Sequence, residues 1–295
     1  MFLLVQLIPG DIAGVLLGPH ATDQQVSELR EDLGLNEPIY VQYFTWISRA
    51  VRGDLGNSLQ YGTPVTSHIM SRLPNTALLT SVSIALAIIV GSITGIISAT
   101  RQYSIWDRGA MVLALFGNSM PSFWLGMVLI LIFSIHLGWF PAGGFGSARQ
   151  EDQSMLEMAR YLVLPGITMS AVATAIIARM MRSSMLEVIR QDYMMTARAK
   201  GLKESTAIVR HAMRNALLPV TTVIGLQLGF MLTGSVLTET VFNWPGLGLE
   251  IKRAIEARDI PMIQGFILFL TLIFVTVNLL VDIAYAYMDP RIRYE

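Results

Sequence analysis

Seven lysines and arginines stand between Arg182 and Arg214, against three acidic residues, in a chain that is 53% hydrophobic and only 14% charged. Their centre is the run DYMMTARAKGLKESTAIVRHAMRNALLP, residues 192–219, an island of charge between long apolar segments. Apolar residues recur at helical spacing on both sides of it: Met185, Val188 and Ile189 before, Ile208, Ala212, Met213 and Ala216 after. Gly201 lies between the halves, where a left-handed helix end is easiest to make. The pattern predicts helix, glycine turn, helix, lying outside the hydrocarbon. The chemistry of such a segment is noncovalent: a structured basic loop docks another protein. Arg198, Lys200, Lys203 and Glu204 offer charges that orient a partner, which serves specificity more than affinity. A basic loop that only sets topology is the plainer alternative. Amphipathic order on both sides of Gly201 favours docking.

Covalent chemistry has little to stand on. The four histidines, His20, His68, His136 and His211, are scattered, with no pair at helical ligand spacing. No Gly-x-x-x-x-Gly-Lys loop cradles a phosphate, and Gly117-Asn118-Ser119-Met120-Pro121 lacks the last glycine of a nucleophile elbow. The absence of cysteine excludes disulfides and thiolate metal sites. Beyond Tyr193 the basic loop has no aromatic residues interleaved as nucleic-acid binding uses them. No catalytic, metal or cofactor site is expected, and the chain is expected not to be an enzyme. Asn118, Ser119, Gln227 and Asn278 are polar residues within apolar runs. They mark either a translocation path or helix-packing hydrogen bonds, and the balance favours packing. Arg179 and Arg182, at the end of an apolar run, read as snorkelling side chains. Asp282 reads as a partner for an arginine nearby.

The elements that must carry these residues are transmembrane helices. Ala77–Ala99, Gly109–Ile135, Tyr161–Ala178, Ala216–Thr238 and Met262–Val281 are uncharged and of roughly the 20 residues that cross a bilayer core. They are continuously apolar rather than alternating, which favours helices over a barrel. Pro121 should kink the second of them. Gly91/Gly95 and Gly225/Gly229 are small-xxx-small pairs that predict close helix contacts. Net charge is zero, but eleven of the 21 Lys and Arg residues fall in loops 101–110 and 182–215 and the tail 286–295. That side is expected to be cytoplasmic, the C-terminus with it. Residues 1–16 then supply a partial first crossing, because Pro9-Gly10-Asp11 ends the apolar stretch after eight residues; a reading frame extending upstream is expected. Residues 17–76 form an outer segment. Thr22 or Asp23 caps a helix closed by Gly34, and Pro38 opens a second, aromatic-rich helix suited to the membrane interface. Residues 64–73 are read as a short elbow. Asn243-Trp244-Pro245-Gly246-Leu247-Gly248 reads as a compact outer turn packed on helix ends.

In order and spacing, these stretches resemble permease subunits of bacterial ATP-binding-cassette (ABC) importers in the dipeptide, oligopeptide and nickel branch. The matching residues are Leu7-Ile8-Pro9-Gly10-Asp11, Leu33-Gly34-Leu35, Gly53-Asp54-Leu55-Gly56, Ser183-Ser184-Met185-Leu186-Glu187-Val188 and Asp192-Tyr193. They continue as Thr196-Ala197-Arg198-Ala199-Lys200-Gly201-Leu202, Arg210-His211-Ala212, Arg214-Asn215-Ala216, Asn243 to Gly248, and Asp289-Pro290-Arg291-Ile292-Arg293. The family's loop motif, Glu-Ala-Ala, three residues and Gly, is varied here to Met195-Thr196-Ala197, as is usual in the peptide branch.

The resemblance implies an all-α polytopic membrane protein with the type I importer fold: six helices, the first truncated, in one permease domain over 1–295. It implies a bacterial plasma (inner) membrane location, with lipid around the helices. A second homologous permease, ATP-binding subunits and an extracytoplasmic substrate-binding protein are the implied partners; nucleic acid is not. The implied coupling loop is 183–215, with Thr196, Ala197, Arg198, Ala199, Lys200, Gly201, Leu202, Lys203 and Glu204 at the ATPase contact. Two helices, 185–200 and 203–215, would act there as a rigid lever. Dipeptide, oligopeptide, glutathione-like and nickel-chelate importers share these motifs, so the solute stays open. A stand-alone secondary transporter or channel needs no docking loop and would show carboxylates at mid-membrane. An intramembrane hydrolase needs a nucleophile with a His or Asp partner there. Neither set is present.

Overall fold

In the computed structural model, residue 14, residues 21–145 except 33 and 35, and residues 155–288 are described. The readings placed on residues 1–13 and on the tail after 288 lie outside them. Among the described residues helix is the only regular structure, apart from an isolated bridge between Asn57 and Pro64. The chain divides into two units, residues 1–72 with 250–269 and residues 73–249 with 270–295.

The first unit begins with α1 (Asp23–Asp32) and α2 (Ile39–Val51). Thr22 and Gln25 form a capping box: the Thr22 hydroxyl accepts from the Gln25 N–H at 3.4 Å, and the Gln25 side-chain Oε1 accepts from the Thr22 N–H at 3.0 Å. Gly34 closes α1 at φ +66°, as expected. No residue of α2 is buried, and Ile39, Tyr40, Tyr43 and Phe44 are exposed, as an interfacial helix requires. The core of this unit is Val65 and Ile69 with Met262 and Phe266, closed by the buried Asp259 carboxylate. Asp259 accepts from the Ser58 hydroxyl at 2.5 Å and from the Met262 N–H, capping the helix that follows.

The second unit holds the apolar bulk. Among the described residues, four helices are long and apolar enough to cross a membrane: Val65–Thr100, Leu156–Ile189, Glu204–Gly234 and Ile260–Ile283. They belong to α3 (Val65–Thr100), α6 (Met155–Ile189), α8 (Glu204–Thr206) running through a π segment (Ala207–Ala212) into α9 (Met213–Gly234), and α12 (Ile260–Met288). A fifth crossing requires α4 (Ile105–Ser119) and α5 (Ser122–Leu129, with its π extension Ile130–His136) taken together. Pro121 does more than kink this pair. It removes an N–H and forces Met120 into extended backbone, and the two halves meet at 108°. The expected elbow over 64–73 is absent: α3 is continuous through Pro74.

The predicted close contacts are present. A Cβ on Gly95 would lie 2.6 Å from the Ala178 carbonyl and from Met181, so α3 and α6 touch through backbone. Gly225 and Gly229 admit Val281, Phe274 and Asn278 of α12 against α9 in the same way. Two short helices complete the chain, α10 (Val236–Val241) and α11 (Leu247–Glu256), with the predicted turn between them. Trp244 and Leu247 are buried there. Trp244 stacks on Phe145 at 4.1 Å and donates from Nε1 to the Asn75 carbonyl at 3.0 Å. The turn is therefore packed on helix ends, as read.

Candidate functional site: the loop between two long helices

The charged island folds as α7 (Asp192–Ala199), held between the ends of α6 and α8. This corrects the two-helix reading. α6 runs on to Ile189 and breaks at Arg190–Gln191, so residues 185–200 are not one helix. The second half is not a separate helix over 203–215 either, because it is continuous with α9 through the π segment. Such segments interrupt the regular i to i−4 ladder and recur at functional sites. The lever is one two-turn helix between two long ones.

Gly201 ends α7 at φ +79°. Its N–H donates to the Arg198 carbonyl at 2.9 Å, and the Leu202 N–H donates to the Ala197 carbonyl at 3.4 Å. That pair of bonds is a Schellman cap, which is why glycine stands here. Inward, Met194 and Ala197 are buried, and Met194 joins Met181, Met185 and Val188 of α6 with Ala207, Ala212 and Ala216 beyond the turn. Outward, Met195, Thr196, Ala199, Lys200, Leu202 and Lys203 are exposed. The helix thus has one face in the core and one free.

The expected docking charges divide into two kinds. Arg198 and Glu204 hold each other in a bidentate pair, Nε to Oε2 at 2.9 Å and Nη2 to Oε1 at 2.8 Å. They brace the turn across Gly201 at the surface. Lys200 and Lys203 have no ion pair among the described residues. Asn215 adds a second brace, donating from Nδ2 to the Tyr193 hydroxyl at 2.8 Å.

The polar residues of the apolar runs do not converge. Asn118 and Ser119 are exposed at the α4–α5 bend, Gln227 is half-buried on α9, and Asn278 faces Gly229 from α12. No hydrogen bond joins any of the four among the described residues, and the Asn278 Oδ1 is buried without a donor. Asp282 is exposed and takes no ion pair among the described residues.

Two arrangements escaped the sequence. Arg182 does not snorkel. It forms a bidentate pair with Asp107 of α4, Nε to Oδ1 at 2.8 Å and Nη2 to Oδ2 at 2.9 Å. The Ser98 hydroxyl of α3 also donates to Asp107. Opposite charges at neighbouring helix ends were the one available signal, and 75 positions separate them. Glu239 of α10 is fully buried. Its Oε1 accepts from the Thr76 hydroxyl at 2.8 Å and its Oε2 from the Leu249 N–H at 3.0 Å, capping α11 from a distance. Burial pushes its carboxyl above the usual glutamate value, against the hydrogen bonds from Thr76 and from the α11 backbone. No group of His, Asp and Glu suited to a metal ion occurs among the described residues.

A bent helix pair, long apolar helices and a loop helix with one free face define a membrane transport subunit rather than an enzyme. The chain belongs to the family described as the binding-protein-dependent transport system inner membrane component, which it matches over residues 87–294; the N-terminal component of the same systems matches residues 1–80. It is similar to the dipeptide transport system permease protein of Alkalihalophilus pseudofirmus, 45% identical over 311 residues, covering 99% of this chain and 93% of that protein. It is similar also to the glutathione transport system permease protein of Escherichia coli K12, 43% identical over 295 residues, covering 100% and 93%. Among solved structures, the methionine ABC transporter MetNI in an inward-facing form aligns with a TM-score of 0.60 at 17% identity, over 75% of this chain and 96% of that one. An amino acid ABC transporter aligns at 0.58 and 13%, over 75% and 94%. The fold is that of type I ABC importer transmembrane subunits, and the chain is an inner-membrane permease subunit of an ABC importer.

Proposed function

We propose that this subunit forms half of the path of a peptide-class importer and takes its drive through α7. The observation that carries the reading is the two-faced loop helix. Its buried side is welded to α6 and α9, while Thr196, Ala199, Lys200, Leu202 and Lys203 present a compact basic and apolar face to a partner. An ATP-binding subunit that grips this face moves α6 and α9 with it, because a packed block transmits displacement whole. Ala197, Arg198, Gly201 and Glu204 hold the shape of that face. The chain is one permease domain over 1–295, with 17–76 as its outer segment and 183–215 and the C-terminus cytoplasmic. A second homologous permease completes the path, and a binding protein outside delivers the solute. The named relatives point to dipeptides or glutathione as that solute. Asn118, Ser119, Gln227 and Asn278 are the candidates for path-lining residues.

The test is reconstitution with the ATP-binding subunits and binding protein in proteoliposomes. Uptake of labelled dialanine and of glutathione is measured beside ATP hydrolysis. Gly201→Val is expected to abolish uptake with the subunit still in the membrane. Normal uptake and normal stimulation of hydrolysis in that variant would refute the coupling role.

A further inference from the structure

We propose that the Asp107–Arg182 pair is a positioning pin that makes α3, α4 and the loop helix one mechanical body; this rests on the coupling role of α7. The Asp107 carboxylate, almost wholly buried, gathers donors from three elements. The Ser98 hydroxyl comes from the end of α3, the Tyr103 N–H from the turn at 2.9 Å, and both Arg182 nitrogens from α6. Tyr103 itself sits at φ +63°, a left-handed conformation rare for an aromatic residue, and the bond to Asp107 holds it there.

The place of the pin matters more than its strength. Arg182 lies between Met181 and Met185, two fully buried residues of the cluster that also holds Met194 and Ala207 of the loop. Along the same helices from the pin, an apolar cleft of about 160 Å³ opens between α4 and the α3–α6 contact, lined by small side chains such as Thr94, Ala110, Ala114, Thr174 and Ala178. There α3 and α6 stay in contact at Gly91 and Gly95, so the cleft lies on the α4 side. A displacement of α7 reaches α4 through the pin, and α4 leads to the 108° bend at Met120–Pro121. Without the pin, α6 and α9 still follow the loop, and α4 follows only through its packing on α6 near Gly117 and Ala171.

A merely structural pair and a transmitting pair part ways in one measurement, solute moved per ATP hydrolysed. Removing one charge alone strands the other in a buried site, so Asp107→Asn is combined with Arg182→Gln. In the reconstituted complex this double variant is expected to assemble and hydrolyse ATP while dialanine or glutathione moved per ATP falls by about fivefold or more, the lower end of ordinary coupling between sites. A second variant, Arg182→Lys, keeps the charge and loses the fork, and is expected to fall in the same direction. If the double variant does not assemble, Arg182→Lys alone decides. An unchanged ratio in an assembled variant overturns the pin. If Gly201→Val also leaves the ratio unchanged, the coupling role of α7 has failed; if Gly201→Val uncouples and the pin variants do not, only the pin has.

Discussion

At Gly201 a side chain fits in space and fails in backbone. Nothing lies within 4 Å of the position a Cβ would take, while φ stands at +79°. Gly201→Ala and Gly201→Val are therefore expected to cost alike, about 1–2 kcal/mol at the turn. Gly201→Asn is expected to keep more uptake, since asparagine tolerates that conformation. A graded loss following side-chain volume would point to a clash instead. Glu239 poses the opposite case, a residue fixed by its surroundings. Its folded carboxyl titrates above the unfolded value near 4.5, so the fold binds a proton more tightly than the unfolded chain does. Its contribution is complete below the unfolded value and fades as pH rises through the raised one. Glu239→Gln removes that titration. Thermal melts from pH 5 to 8 should show the advantage of the parent over the variant shrinking with pH; a growing advantage would mean the buried group is better charged.

At the scale of elements, two glycines of similar appearance behave differently. Gly95→Ala pushes α3 off α6 and is expected to cost about 1–3 kcal/mol. Gly109→Ala on α4 meets open space and is expected to stabilise by about 0.4–1 kcal/mol through the unfolded chain. Melts of the purified protein check both, and equal effects would contradict the packing described. Spacing in the sequence marks Gly91/Gly95 because i and i+4 share a helix face. It marks the five apolar runs because bilayer crossing requires length, and the start of α1 at Thr22 or Asp23 because a capping residue precedes the apolar period there. The Arg182–Asp107 pair leaves no such trace, since nothing local ties residues 75 apart. The break at Arg190–Gln191 is marked only by phase: Met194 and Ala197 stand nine positions after Met185 and Val188, about half a turn off their face on a continuous helix. Pro74 misled for a related reason. Its ring forbids one hydrogen bond, and a helix of 36 residues absorbs that loss.

For the whole molecule, the proposed function has energy enter through the ATP-binding subunits, and the sequence carries no Gly-x-x-x-x-Gly-Lys loop of its own. The isolated chain in nanodiscs is expected neither to bind nor to hydrolyse ATP, as equilibrium dialysis with labelled nucleotide would report. Stoichiometric binding would place the ATP site on the wrong subunit. Hydrolysis should appear only on addition of the ATP-binding subunits. On the proposed docking face Lys200 and Lys203 take no ion pair among the described residues, so complex formation should weaken with rising salt.

Trp244 has an optical consequence. Of the five tryptophans it alone is buried, flat against Phe145, whereas Trp106, Trp124 and Trp139 are exposed. Aqueous quenchers such as iodide are kept from its indole while the turn stays seated. The part of the iodide-protected, blue-shifted emission that a Trp244→Phe variant loses therefore reports whether that turn stays closed while the transporter works, without any added label.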